Sequence, residues 1–185
     1  LQQARFLVNA SEQAVHAIKQ FTEQYQIDCD CRIDGTYYTY SNAAQLGTLD
    51  PVMEKLQQLG CQAWRPLTAE DRLRTGSATN LAGWYSPHAG SVQPALLVRG
   101  LKRVAESLGV CVVEQSRYLS HKGHQQLEIE TCRGPLKASQ LVFAVNAWLP
   151  SLLPAFAKKV VLVSSDMLIT DPIPATLEAL HLQHG

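Results

Sequence analysis

The chain has 185 residues, 46% of them hydrophobic and 17% charged, enough for one core or for parts of two. Lys plus Arg and Asp plus Glu number 16 each, so there is neither a basic footprint for nucleic acid nor a cationic face for membrane lipids. No apolar run approaches the roughly 20 residues of a membrane-spanning helix, and LQQARFLVNASEQ lacks the pattern of a signal peptide.

In chain order, Leu7, Ala10, Ala14, Ile18, Phe21 and Tyr25 step by three and four, which predicts one amphipathic helix. CDCRIDGTYYTYS places Asp34-Gly35 between two β-prone runs and predicts a hairpin. Asp50 as cap and Pro51 at the first helical position open a second helix that Gly60 ends. QAWRPL reads as extended, and Thr68 with Asp71 caps a short helix. NLAGWYS reads as a strand and SPHAGS as a loop. Gln93-Pro94 then opens a helix with Leu97, Val98, Leu101, Val104, Ala105 and Leu108 inward, closed by Gly109. VCVVE reads as a buried strand. Residues 116–138 read as an antiparallel meander with turns at Lys122-Gly123 and Arg133-Gly134. LVFAV reads as a second buried strand, and KKVVLVSSDMLITDPIP as a long strand stopping at Asp171-Pro172.

Few side chains point to chemistry on their own. His16 lies off the first helix's apolar stripe, His121 and His124 flank a turn, and His181 and His184 belong to the tail. Only His88 precedes a Gly loop beside a plausible cleft. The cysteines, Cys29, Cys31, Cys61, Cys111 and Cys132, have an odd count and scattered spacing. They predict free thiols in a reducing, cytoplasmic compartment rather than disulfides or a metal site. The 11 glycines form no G-x-G-x-x-G and no P-loop, and no G-x-S-x-G occurs.

Three stretches carry a resemblance by their order and spacing: GWYSPHAGSVQPALLVRGLKRVAESLGVCVVE, LVFAVNAWLPSLLP and VVLVSSDMLITDPIP. Together they resemble the central part of FAD-dependent amine and amino-acid oxidases of the D-amino-acid oxidase/glycine oxidase class. The Asn-Ala-Trp form is most similar to γ-glutamylputrescine oxidase-like members. The resemblance implies an α/β plus α+β chain: part of a Rossmann-like FAD layer joined to an antiparallel or mixed substrate sheet. It implies substrate-domain portions over 1–79 and 151–185 and an FAD-domain portion over 80–150. The strand 110–114 is then expected parallel to 141–145, and 160–170 paired with the Gly35 hairpin in a separate sheet.

The implied function is oxidation of a C–N bond in a small amine or amino acid. Hydride passes to FAD, the imine is hydrolysed, and oxygen is reduced to hydrogen peroxide. Cofactor contacts are expected at Tyr118, Ala144, Val145, Asn146 and Trp148, and substrate contacts at Tyr37, Tyr38 and Met167. The family's Gly-rich N-terminal motif and its C-terminal part are not among these residues, so the chain alone is expected to be inactive and a poor binder of FAD. Two alternatives stand beside this reading: a non-catalytic binding or scaffold module with an oxidase-like fold, and a related FAD dehydrogenase or tRNA-modifying oxidase.

Overall fold

The computed structural model describes residues 2–182. They form two compact units. One runs up to Val110 and resumes at Asp171; the other is Cys111–Thr170.

The first unit opens with α1 (Gln2–Gln24), whose C-terminal turns carry Phe21 and Thr22 inward, with Tyr25 just after the helix. A core of Ile27, Cys29 and Val104 packs against Phe21, Tyr25, Cys31, Val92 and Leu97. Val104 and Leu97 come from α4 (Pro94–Ser107), which the Gln93 side chain caps by accepting from the Leu96 amide at 2.8 Å. Gly100 lies on the same face of α4, and a Cβ there would stand 2.2 Å from Ile27 Cγ2. The buried stripe is therefore Leu97, Gly100 and Val104, while Val98, Leu101 and Leu108 of the expected inner face are exposed.

The sheet of this unit has strand order β1-β3-β2, where β1 is Thr36–Tyr40, β2 is Arg65–Pro66 and β3 is Ala82–Ser86. Both pairings are antiparallel. Residues 82–86 thus share a sheet with 36–40. The expected hairpin at Asp34-Gly35 does not form. Arg32 exchanges backbone bonds with Ser91, and the Gly35 amide donates to the Ala89 carbonyl, so the run before β1 is engaged by the loop after β3. Gly83 is essential to the sheet, because a Cβ there would stand 2.0 Å from the Tyr38 carbonyl oxygen. Tyr40 is buried, and its hydroxyl accepts from Trp84 Nε1 and the Leu49 amide, joining β1, β3 and the start of α2 (Asp50–Gln58). In α2 the cap is Leu49, one residue earlier than expected, with Asp50 in the first turn. The capping box of α3 (Ala69–Leu73) forms as read, Thr68 with Asp71.

The second unit contains the expected meander: β4 (Tyr118–Lys122), β5 (Leu127–Thr131) and β6 (Gly134–Ala138), in that order and antiparallel. VCVVE and LVFAV enter no ladder, so the expected parallel pair is absent. Residues 160–170 also pair with nothing, and their expected place beside the hairpin is corrected likewise. The reason is common to all three. A buried strand needs neighbours for its N–H and C=O groups and cover for its side chains. No described segment pairs with them, and Val142 and Val163 are over four-fifths exposed. Past 145 the chain turns into α5 (Leu149–Leu152), and α6 (Pro174–Ala179) follows Asp171-Pro172 in the first unit. No helix among the described residues is long and apolar enough to cross a membrane.

Candidate functional site

The stretch LVFAVNAWLPSLLP, with residues 160–164, lines a cleft in the second unit. Asn146 has φ 46°, a left-handed conformation that Asn tolerates far better than a β-branched residue such as Val145 before it. Its position turns the apolar run at once into a helical turn, Asn146–Trp148, followed by α5. The Ser151 hydroxyl donates to the Trp148 carbonyl at 2.7 Å and steadies that corner. Trp148 is 72% exposed. It lines a cleft of about 890 Å³ together with Asn146, Ala147, Pro150, Ser151 and Val160–Ser164. A wall of valines and one indole, with the Asn146 amide and two serine hydroxyls among them, suits a flat ring system with a few polar edges. Ala144 is exposed and Val145 half-buried on the approach to the cleft, while Met167 lies 92% exposed outside it.

Tyr118 stands in a second cluster of the same unit. Its hydroxyl hydrogen-bonds His121 Nδ1 at 2.6 Å, and Phe143 meets its ring edge-on at 5.1 Å between centroids. The sequence reading singled out Tyr118 but neither His121 nor Phe143 as its neighbours. Phe143 lies 25 positions away, and nothing in spacing or composition joins the two.

In the first unit the register sets Tyr37 opposite Tyr85 and Tyr38 opposite Trp84. Tyr37 and Tyr38 therefore point to opposite faces of the sheet and cannot line one surface together. Tyr37 packs on Tyr85 at 5.2 Å, and the Arg65 guanidinium covers the Tyr85 ring at 4.5 Å. Arg65 donates to both oxygens of Asp71, at 2.5 and 3.1 Å. That pair, with the Thr68 amide and hydroxyl, holds the Asp71 carboxyl far below the usual carboxylate range despite its desolvation. Burial pushes the Tyr37 phenol up, against the opposing charge of Arg74. This is a structural cross-strand stack tied to a helix cap, with its charges already paired.

Of the histidines, His88 meets His16 across 72 positions, which the sequence reading missed by treating His16 as merely solvated. His184 lies outside the described residues. All five cysteines are free, with Cys29 and Cys61 buried.

The family model described as "FAD dependent oxidoreductase" (DAO) matches residues 1–184. The chain belongs to the DAO family of FAD dependent oxidoreductases. Its mixture of helices and antiparallel sheets is the family's fold, as solved structures show. Glycine oxidase from Bacillus cereus ATCC 14579 superposes with a TM-score of 0.67 at 19% identity, over 81% of this chain and 43% of that one. L-proline dehydrogenase from P. horikoshii gives 0.66 at 18%, over 80% and 40%. L-amino acid deaminase from Proteus vulgaris, with its specific insertion deleted, gives 0.67 at 18%, over 82% and 42%. The chain thus spans about two-fifths of the length of these DAO-fold structures. No curated protein matches the sequence.

In its apolar lining the cleft at Asn146 and Trp148 is compatible with a flat ring such as the one FAD carries. The phosphates have no cradle among the described residues: α4 begins with Pro94 and is already capped by Gln93, and no Gly-opened helix start exists.

Proposed function

We propose that this chain is the part of a DAO-family oxidoreductase that lines the flavin ring, in an enzyme oxidising the C–N bond of a small amine or amino acid. The observation that carries the reading is the Asn146 corner, which opens an apolar, serine-edged cleft at the end of LVFAV. Bound FAD would supply the redox chemistry by accepting two electrons from the substrate. The protein's own part is to exclude water and orient the ring. Trp148 and the valines of 160–163 form the apolar wall, and the Asn146 amide and the hydroxyls of Ser151 and Ser164 offer polar contacts at its edge.

In this reading Ala144 and Val145 bring the backbone toward the ring, and the Tyr118 backbone serves the adenine end. Tyr37, Tyr38 and Met167 stay the proposed substrate contacts, with Tyr37 and Tyr38 on opposite faces of their sheet. The reading is supported by the family membership and by neighbours named for glycine, proline and amino-acid chemistry. The free thiols agree with a reducing, cytoplasmic setting. Anaerobic addition of amines and amino acids to the FAD-loaded protein that carries this chain is the test. Bleaching of the flavin absorbance by at least one of them is expected; a loaded protein that none of them bleaches overturns the proposal.

A further inference from the structure

We propose that His16 and His88 form a binding site for a divalent transition metal of the zinc type. The two nitrogens are close enough for one ion to reach both: His16 Nε2 and His88 Nδ1 stand 3.2 Å apart, with the rings at 77° to one another. At metal–nitrogen lengths of about 2.0–2.1 Å, two ligands of a tetrahedral ion stand about 3.3 Å apart. The observed separation is one edge of that tetrahedron.

Each ring rests on an element fixed independently of the other. His16 lies inside the 23-residue α1. His88 lies in the loop after β3, which the bonds Gly35 N to Ala89 O and Arg32 to Ser91 hold in place. The His88 amide also donates to the buried Ser86 hydroxyl at 3.3 Å. Ligands preorganised in this way lose little freedom when an ion binds. His16 is exposed and His88 half-buried, so an ion has access.

Among the described residues no third His, Cys, Asp or Glu completes a cluster, so water fills the remaining positions. Without metal, one ring donates the hydrogen that the other accepts. When an ion binds, that hydrogen moves to the far nitrogen of its own ring. Both near lone pairs then face the metal, and the neutral pair loses no proton. The ion ties α1 to the loop after β3. This proposal is independent of the flavin reading.

The test is a titration of Zn²⁺ into the ¹⁵N-labelled chain under reducing conditions, following the imidazole nitrogens, with His16→Ala, His88→Ala and a His124→Ala control. We expect His16 Nε2 and His88 Nδ1 to shift together and to saturate at one ion per chain. Either His16→Ala or His88→Ala should weaken binding about a hundredfold, because the second imidazole acts intramolecularly, while His124→Ala changes nothing. Zinc taken by the thiols with both rings unmoved, rings that shift independently, or equal affinity in the variants would overturn the site.

Discussion

The segments 27–40 and 160–170 are both rich in apolar and β-prone residues, and the molecule treats them in opposite ways. In the first, Ile27, Cys29 and Tyr40 are buried, Cys29, Arg32 and Gly35 share backbone bonds with Gln93, Ser91 and Ala89, and 36–40 pairs with β3. In the second, Met167, Leu168 and Ile169 are each more than nine-tenths exposed and enter no ladder. The difference teaches that strand character in a sequence is a demand for partners, not a guarantee of them. The first segment finds its partners within the chain; the second presents an apolar ribbon next to the cleft proposed for the flavin ring.

The comparison breaks most sharply at Gly83. A Gly83→Ala chain must place a Cβ against the Tyr38 carbonyl, at a backbone φ of 156° that suits glycine. It should lose about 3 kcal/mol or more in urea unfolding. Unfolding that matches the parent chain would mean the β1–β3 contact is looser than described.

A middle effect is expected at Asp71. Asp71→Asn weakens the Arg65 pair and the capping box together, at a cost of about 1–2 kcal/mol, since Arg65 is half exposed. The pH dependence has a definite sign. The folded pKa lies below the unfolded value of about 3.9, so the unfolded state binds more protons in acid. The stabilisation is complete above about pH 5 and is lost as pH falls toward the folded value. Urea melts of both chains at neutral and acid pH should therefore converge in acid. Parallel behaviour would remove the pair from the account.

The smallest effect is expected in the second segment. Leu168→Ser should change stability by no more than about 0.5 kcal/mol, because Leu168 is 97% exposed, and should reduce self-association seen in sedimentation. A loss of more than that would show the segment packed and would erase the contrast.

The local grammar was legible in the sequence. Periodicity located α1, Gln93-Pro94 and Gly109 bounded α4, Thr68 and Asp71 made their capping box, and the two Gly turns placed the meander. These signals act within a few residues, which is why they could be read. The pairing of β1 with β3 could not, since Asp34-Gly35 offers a hairpin and only the Ala89–Ser91 loop displaces it. VCVVE, LVFAV and 160–170 were read as strands from their own apolar character, yet strand formation depends on neighbours elsewhere. At the site, Asn146 and Trp148 were singled out only through the resemblance, and the left-handed turn at Asn146 emerges from the fold. The contact of His16 with His88 joins residues far apart in the chain and left no trace in spacing.

The central claim is that the Asn146–Trp148 corner and 160–164 face the flavin ring. Its most direct test is photolabelling of the protein that carries this chain with an FAD analogue bearing an azide on the isoalloxazine, followed by peptide mapping. The account predicts adducts within residues 144–164, suppressed by unmodified FAD and weakened by Trp148→Ala. Adducts confined to residues before 110, or labelling that unmodified FAD does not suppress, would contradict it.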